Sequence, residues 1–200
     1  MLDYGIISIV GTVIWKDNLY EIKELANYLD KLGINFQRIE PLLLIGNAIK
    51  NKDILIEKEE YSIVYKTVST LNLSKMKVLF GEGFPQLYSI SKNNVPEYRD
   101  RYCLVGVENL HIENNGDMYP CTGFIDPKFI LGNILNDDLL NIWNYSDVLQ
   151  EFRGLTVDKI EGCSTCKLRN YCGGGCRAIA YSYTKNIKSQ FPFCIYREEE

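Results

Sequence analysis

Residues 163–176 read CSTCKLRNYCGGGC and place four cysteines within 14 positions. Such a density of thiols is typical of a metal centre rather than of a packed core, because a C-x-x-C pair presents two sulfurs to one metal centre from adjacent directions. Three glycines separate Cys172 from Cys176. Because glycine has no Cβ atom, we expect the backbone there to approach a bulky cluster and to direct N–H groups at its sulfurs.

The remaining cysteines are Cys103, Cys121 and Cys194, and none precedes residue 103. Between the first two, Asn115-Gly116 predicts a tight hairpin turn, which would bring Cys103 and Cys121 close together. The single histidine, His111, lies in the same segment. We interpret it as an ordinary strand residue rather than as a metal ligand.

Seven thiols leave three kinds of chemistry open. Disulfides are the least favoured, because an odd number cannot all pair within one chain and the sequence shows no secretory signal. Structural zinc is realistic, since C-x-x-C pairs commonly build zinc sites, although two tetrahedral ions would want about eight ligands. Two iron–sulfur cubanes also take about eight ligands. Seven thiols are compatible with them, because an iron that is left with an open coordination position is chemically useful.

Composition narrows the class of protein. The 200 residues are 46% hydrophobic and 24% charged, as in a folded protein of one domain or two small ones. A net charge of -4 argues against nucleic-acid partners, which need a concentrated positive field. No apolar run is long enough to cross a bilayer, and Asp3 stands where a signal peptide would carry a basic residue. We therefore expect a cytoplasmic protein with neither nucleic-acid nor membrane partners.

The cysteine-free first half predicts an alternation of strands and helices. We predict strand, helix, strand, helix and strand at residues 5–15, 19–32, 34–45, 57–73 and 76–80. The first strand is apolar at nearly every position, which favours burial on both faces of a parallel sheet. Three strands do not close a barrel. We therefore interpret this half as part of a larger barrel, with a small autonomous α/β domain as the alternative.

The spacing C-x(12)-G-x(4)-C, C-x(2)-C-x(5)-C-x(3)-C and a final cysteine resembles the SPASM domain. That domain is the C-terminal extension of many radical SAM enzymes that modify peptides and proteins. The stretches at 118–121, 131–134, 139–143 and 172–177 support the resemblance. Residues 5–90 resemble the second half of a radical SAM partial barrel. The expected fold is a partial (β/α) barrel fragment at 1–92, followed by a small α+β, cysteine-rich SPASM domain at 93–200.

The resemblance implies two auxiliary 4Fe–4S clusters. By the family pattern, the ligands of the first are Cys103, Cys121 and Cys176, and those of the second are Cys163, Cys166, Cys172 and Cys194. Some members add a fourth ligand to the first cluster, from a cysteine at the position where this chain has Glu97. The first cluster is therefore expected to keep an open iron.

Two departures limit the function that the resemblance implies. The radical SAM signature C-x(3)-C-x(2)-C is absent from these residues. S-adenosylmethionine would thus bind only if a complementary half-barrel were supplied. Thr122 stands where sulfatase-maturing members carry an aspartate base, which disfavours sulfatase maturation. No catalytic residue is assigned.

The leading hypothesis is the C-terminal portion of a radical SAM/SPASM maturase, whose auxiliary clusters serve electron transfer and substrate engagement. Its partners would be a complementary half-barrel chain, a peptide or protein substrate and an electron donor. The first half of the barrel would lie on another chain, have been lost, or belong to a longer form of this sequence. The alternatives are a stand-alone iron–sulfur electron carrier or scaffold without catalysis, and a zinc-binding interaction module.

Overall fold

The computed structural model describes residues 5–81 and 101–194. The described residues form two compact units, one of 5–81 with 191–194 and the other of 101–190. The expected boundary between 92 and 93 lies outside the described residues. The return of 191–194 to the first unit is a feature that the cysteine content did not predict.

The first unit contains a three-stranded parallel sheet in the order β1-β2-β3. Its strands are β1 (Ile9–Ile14), β2 (Phe36–Pro41) and β3 (Lys77–Phe80), and its helices are α1 (Ile22–Lys31) and α2 (Lys58–Ser69). The predicted order of elements is confirmed, and each element is shorter than predicted. Gly33, at φ +79°, follows α1 in the left-handed conformation that commonly ends a helix. Short 3₁₀ turns cover Leu19–Glu21, Gly46–Lys50 and Lys52–Ile54.

Both helices pack on one face of the sheet. Ile22 of α1 and Val64 of α2 are buried in the same cluster as Ile14, Ile39 and Phe80 from the three strands. Right-handed crossovers between parallel strands place successive helices on the same side, which explains the shared core. The Phe193 ring stacks on Tyr61 of this core, with the ring centroids 4.5 Å apart.

The other face of β1 is open. Ile9 is 60% exposed and Val13 is 46% exposed, whereas Ile14 is buried. The prediction that the first strand is buried on both faces is therefore wrong. The reason is that β1 is an edge strand of the described sheet and the helices cover only one of its faces.

The carboxylate of Asp30 ties the end of α1 to the start of β3. It accepts hydrogen bonds from the backbone N–H groups of Ser74, Lys75 and Met76 at 2.8, 3.0 and 2.8 Å, and from the Ser74 hydroxyl at 2.8 Å. The N–H of Met76, followed by those of Ser74 and Lys75, holds the pKa of Asp30 well below its usual range.

The second unit begins with the predicted hairpin. Strands β4 (His111–Ile112) and β5 (Asp117–Tyr119) are antiparallel, and Gly116 adopts φ +90° in the turn between them. A third short strand, β6 (Gly132–Asn133), pairs with β5. The Asn115-Gly116 turn is thus confirmed.

Short helices complete the second unit: α3 (Leu139–Tyr145), α4 (Asp147–Arg153), α5 (Arg169–Cys172) and α6 (Arg177–Thr184). Asp138 caps α3 by accepting the N–H of Asn141 at 2.7 Å. Three 3₁₀ turns lie at Thr122–Phe124, Pro127–Phe129 and Val157–Lys159. Within the described ranges, no helix has both the length and the apolar character that a bilayer span needs.

Replacing Asp30 by Asn should lower the free energy of unfolding at neutral pH. A depressed native pKa means that the carboxylate stabilises the fold fully above its unfolded pKa of about 3.9 and loses this effect as the pH falls towards the native value. The difference in free energy of unfolding between Asp30→Asn and the unaltered protein should therefore become smaller below that pH. Urea denaturation followed by circular dichroism measures it. Asp17→Asn, which changes an exposed carboxylate, is the matched control. Equal effects of the two substitutions would contradict the role given to Asp30.

Candidate metal centres

Three cysteines from separate segments form one group in the second unit. Cys103 precedes the hairpin, Cys121 follows β5, and Cys176 is the residue before α6. All three are partly buried and pack against the same apolar core. They are electrostatically coupled, because ionisation of Cys176 or Cys103 raises the pKa of Cys121 and ionisation of Cys103 raises that of Cys176. The three cysteines thus border one apolar core, and their membership of one ligand set stays a prediction.

Burial dominates the acid–base behaviour of these thiols. It raises the pKa of Cys103. With the added repulsion of the neighbouring thiolates, it raises the pKa of Cys121 to about 12 and that of Cys176 to about 11. Such thiols keep their protons at neutral pH unless a cation takes the place of the proton, so metal binding here would release protons.

Backbone N–H groups nevertheless converge on the three sulfurs. The donor pairs are Val105 and Arg177 for Cys103, Gly123 and Phe124 for Cys121, and Ala178 and Ile179 for Cys176. Each of these hydrogen bonds favours the anionic form of the sulfur that accepts it. Hydrogen bonds of this kind also tune the reduction potential of a cluster that the sulfurs bind.

Cys163, Cys166 and Cys172 lie in the loop and short helix that precede Cys176. The N–H of Cys166 donates to the carbonyl of Cys163 at 3.1 Å, which closes the C-x-x-C turn. Cys172 is the last residue of α5. Cys194 belongs to the first unit, where its N–H donates to Phe191 at 3.1 Å. Its membership of a ligand set with the other three stays a prediction.

Gly173 permits two backbone segments to touch. It adopts φ +63°, and its carbonyl accepts the N–H of Tyr102 at 2.9 Å. A Cβ atom on Gly173 would lie 2.6 Å from the backbone of Arg101 and Tyr102. This contact places the segment that leads into Cys103 directly beside the loop between Cys172 and Cys176.

Arg177 is a feature of the site to which the sequence analysis assigned no role. Its side chain is 1% exposed. It donates to the carbonyls of Gly174, Gly175, Ile187 and Ser189. Two of the three glycines therefore serve as acceptors for this cation. The one signal in the sequence was a charged residue placed directly after a cysteine in an otherwise apolar helix.

Two further positions from the sequence analysis are His111 and residue 97. His111 is half-buried on β4, with its Nε2 atom 2.6 Å from a carboxylate oxygen of Glu113. Position 97, where a fourth ligand would stand, lies outside the described residues.

The donor chemistry fits an iron–sulfur cluster at Cys103, Cys121 and Cys176. Three thiols can bind iron atoms of a cluster, and N–H groups directed at their sulfurs stabilise the negative charge of thiolate ligands. Among the described residues, no three histidine, cysteine or acidic side chains lie close enough to hold a single metal ion. The thiolates of a cubane bind different iron atoms, so they stand farther apart than the ligands of one ion.

Gly173→Ala should destabilise the second unit and lower its metal content. The left-handed backbone alone costs about 1–2 kcal/mol for a residue with a Cβ atom, and the contact with the Tyr102 backbone adds to this. The matched control is Gly162→Ala, because Gly162 has φ +69° and its Cβ would meet only the Gln190 side chain, at 3.3 Å. Denaturation midpoints and iron analysis compare the variants. Equal losses in both would show that the close backbone approach is unimportant.

Comparisons with known proteins agree with this chemistry. The model of the SPASM family, an iron–sulfur cluster-binding domain, matches residues 103–167. AdoMet-dependent heme synthase of Nitratidesulfovibrio vulgaris is 26% identical over 209 residues, which cover 98% of this chain and 55% of that protein. Mycofactocin maturase MftC of Mycolicibacterium smegmatis is 32% identical over 85 residues, 42% of this chain and 21% of that protein.

The fold comparison covers both units. The solved structure of native anSMEcpe with bound AdoMet matches with a TM-score of 0.68 at 17% identity, over 96% of this chain and 53% of that one. The chain spans about half the length of the heme synthase that it matches. Residues 103–167 thus match the iron–sulfur cluster-binding SPASM domain, and the chain as a whole is similar to about half of an AdoMet-dependent heme synthase.

Proposed function

We propose that this chain is the C-terminal portion of a radical SAM/SPASM enzyme that modifies a peptide or protein. The observation that carries the proposal is the group of Cys103, Cys121 and Cys176 with N–H donors at each sulfur. The first two of these cysteines lie in the segment 103–167 that matches the SPASM model. When bound, the clusters would pass single electrons between a donor and the reacting centre. The chain's own residues hold the thiolates and shield them from water.

Cys103, Cys121 and Cys176 are the proposed ligands of the first 4Fe–4S cluster. Their mutual electrostatic coupling supports this set. The proposed ligands of the second are Cys163, Cys166, Cys172 and Cys194. Support for it comes from the closed C-x-x-C turn and from the match of the family model through residue 167. A zinc module is less well supported, because the matching family binds iron–sulfur clusters.

The first unit is proposed as the second half of a partial (β/α) barrel. Its parallel strands, with both helices on one face, have the arrangement of consecutive barrel units. The open edge of β1 would then pair with a strand of the first half, either on another chain or in a longer form of this one, and its open face would line the barrel interior. A stand-alone electron carrier would need no such partner.

A heme-forming enzyme is the second candidate. The heme synthase of Nitratidesulfovibrio vulgaris matches 98% of this chain, whereas the mycofactocin maturase matches 42%. The two candidates share the clusters and differ in the substrate that the completed enzyme would hold. Binding of a precursor peptide, as against binding of a porphyrin, by the completed enzyme distinguishes them.

Anaerobically reconstituted protein should hold about eight iron and about eight sulfide ions, as two cubanes require. Cys121→Ala should remove one cluster and Cys172→Ala the other, so each variant should retain roughly half of the iron. Iron and sulfide analysis with electron paramagnetic resonance spectra checks this. Stoichiometric zinc without sulfide, or loss of the same spectral species in both variants, would contradict the assignment.

These 200 residues alone should not cleave S-adenosylmethionine. Reductive cleavage needs an iron that coordinates the amino and carboxylate groups of the cofactor, and the three-cysteine loop that would hold it is absent from this sequence. The measurement is 5′-deoxyadenosine formation by reduced, reconstituted protein, with a full-length radical SAM/SPASM enzyme as positive control. Turnover by this chain alone would require a cofactor site among its seven cysteines.

A further inference from the structure

We propose that Arg177 is the shared counter-charge of both cysteine groups and that it makes the clusters bound there easier to reduce. The inference rests on the proposed function, because it needs bound clusters. It adds a positioning residue that contacts neither the substrate nor the reacting atoms and acts through the electrostatics of the cluster sites.

Arg177 is the largest fully buried side chain of the described residues, at 1% exposure. Its Nε atom donates to Gly175 at 3.1 Å, Nη1 donates to Ile187 at 3.1 Å and to Ser189 at 2.6 Å, and Nη2 donates to Gly174. All four acceptors are neutral backbone carbonyls. They fix the guanidinium in place without cancelling its charge.

No carboxylate among residues 5–81 and 101–194 forms an ion pair with Arg177. The groups whose negative charge would act on it, once they lose their protons to a bound cluster, are the thiols of Cys103, Cys176, Cys163 and Cys172, in decreasing order of effect. The first two belong to one proposed ligand set and the last two to the other. The backbone ties Arg177 to the same cysteines, because it directly follows Cys176 and its side chain donates to Gly174 and Gly175, between Cys172 and Cys176. The cation is therefore coupled to both sets at once.

A buried cation without an anionic partner is costly, and neutral carbonyls offset only part of that cost. A thiolate-bound cluster supplies the missing negative charge. Reduction adds one electron from an external reductant to the cluster and neither forms nor breaks a bond in the protein. The attraction between a fixed cation and the cluster grows with the negative charge of the cluster. The cation therefore stabilises the reduced form more than the oxidised form. The potential is thereby raised.

In the alternative, Arg177 has only a structural role: its hydrogen bonds hold residues 174–175 against residues 187–189. Three variants separate the two roles. Arg177→Gln removes the charge and keeps a hydrogen-bonding side chain, whereas Arg177→Lys keeps the charge and loses the planar fork. Arg153→Gln is the matched control, because Arg153 also donates to two backbone carbonyls of the second unit, those of Gly106 and Trp143.

The test is a redox titration of reconstituted protein with dithionite, followed by electron paramagnetic resonance. In Arg177→Gln, the ratio of reduced to oxidised cluster at a fixed solution potential should fall about tenfold for both clusters, which is a shift of about 59 mV for one electron. Arg177→Lys should recover most of the shift, and Arg153→Gln should show none. Iron content and circular dichroism establish that each variant is folded and loaded.

Equal shifts in Arg177→Gln and Arg177→Lys, or an unchanged potential in loaded Arg177→Gln, would overturn the proposal and leave the proposed function intact. If Arg177→Gln fails to load, Arg177→Lys decides. If Arg177→Lys binds its clusters and their reduction potential is nearly that of the unaltered protein, the counter-charge is supported. If Arg177→Lys binds no clusters, the proposal is overturned in favour of the structural role. Absence of clusters from the unaltered protein would overturn the proposed function together with this inference.

Discussion

The contact between the backbone at Tyr102 and the backbone at Gly173 is the constraint on which the arrangement of cysteines depends. It brings the segment that enters Cys103 against the loop between Cys172 and Cys176. Residues from opposite ends of the second unit thereby share one small volume. A side chain at position 173 would separate the two segments, so glycine is required there by space as well as by its left-handed backbone.

Local sequence signals predicted local structure well. Asn115-Gly116 specifies the hairpin, because Gly116 adopts the positive φ of +90° that the turn requires. Asp138 caps the start of α3, because its short acceptor side chain satisfies the otherwise free N–H group of Asn141. The burial of β1 was predicted wrongly, since an apolar run reads the same in an edge strand as in a central one. The contact of Phe193 with Tyr61 joins residues too far apart for any periodicity to show.

The sequence predicted which cysteines form the candidate site, but it predicted less well how they divide into two ligand sets. The hairpin signal predicted that Cys103 and Cys121 would lie close together, but spacing alone pairs Cys176 with Cys172. Their assignment to different sets came from the family resemblance. The sequence signal for Arg177 was weak, because a charged residue beside a ligand cysteine is ordinarily expected to face solvent. Only the fold reveals that its donors are enclosed by four carbonyls.

The open side of β1 has a consequence for handling the protein. The strand reads IVGTVI and contains no charge and no proline, the residues with which proteins usually block an exposed sheet edge. Ile9 and Val13 add apolar side chains to its exposed face. Expressed without strands to cover it, such an edge is a template for intermolecular β-sheet, so the isolated chain carries a built-in tendency to aggregate.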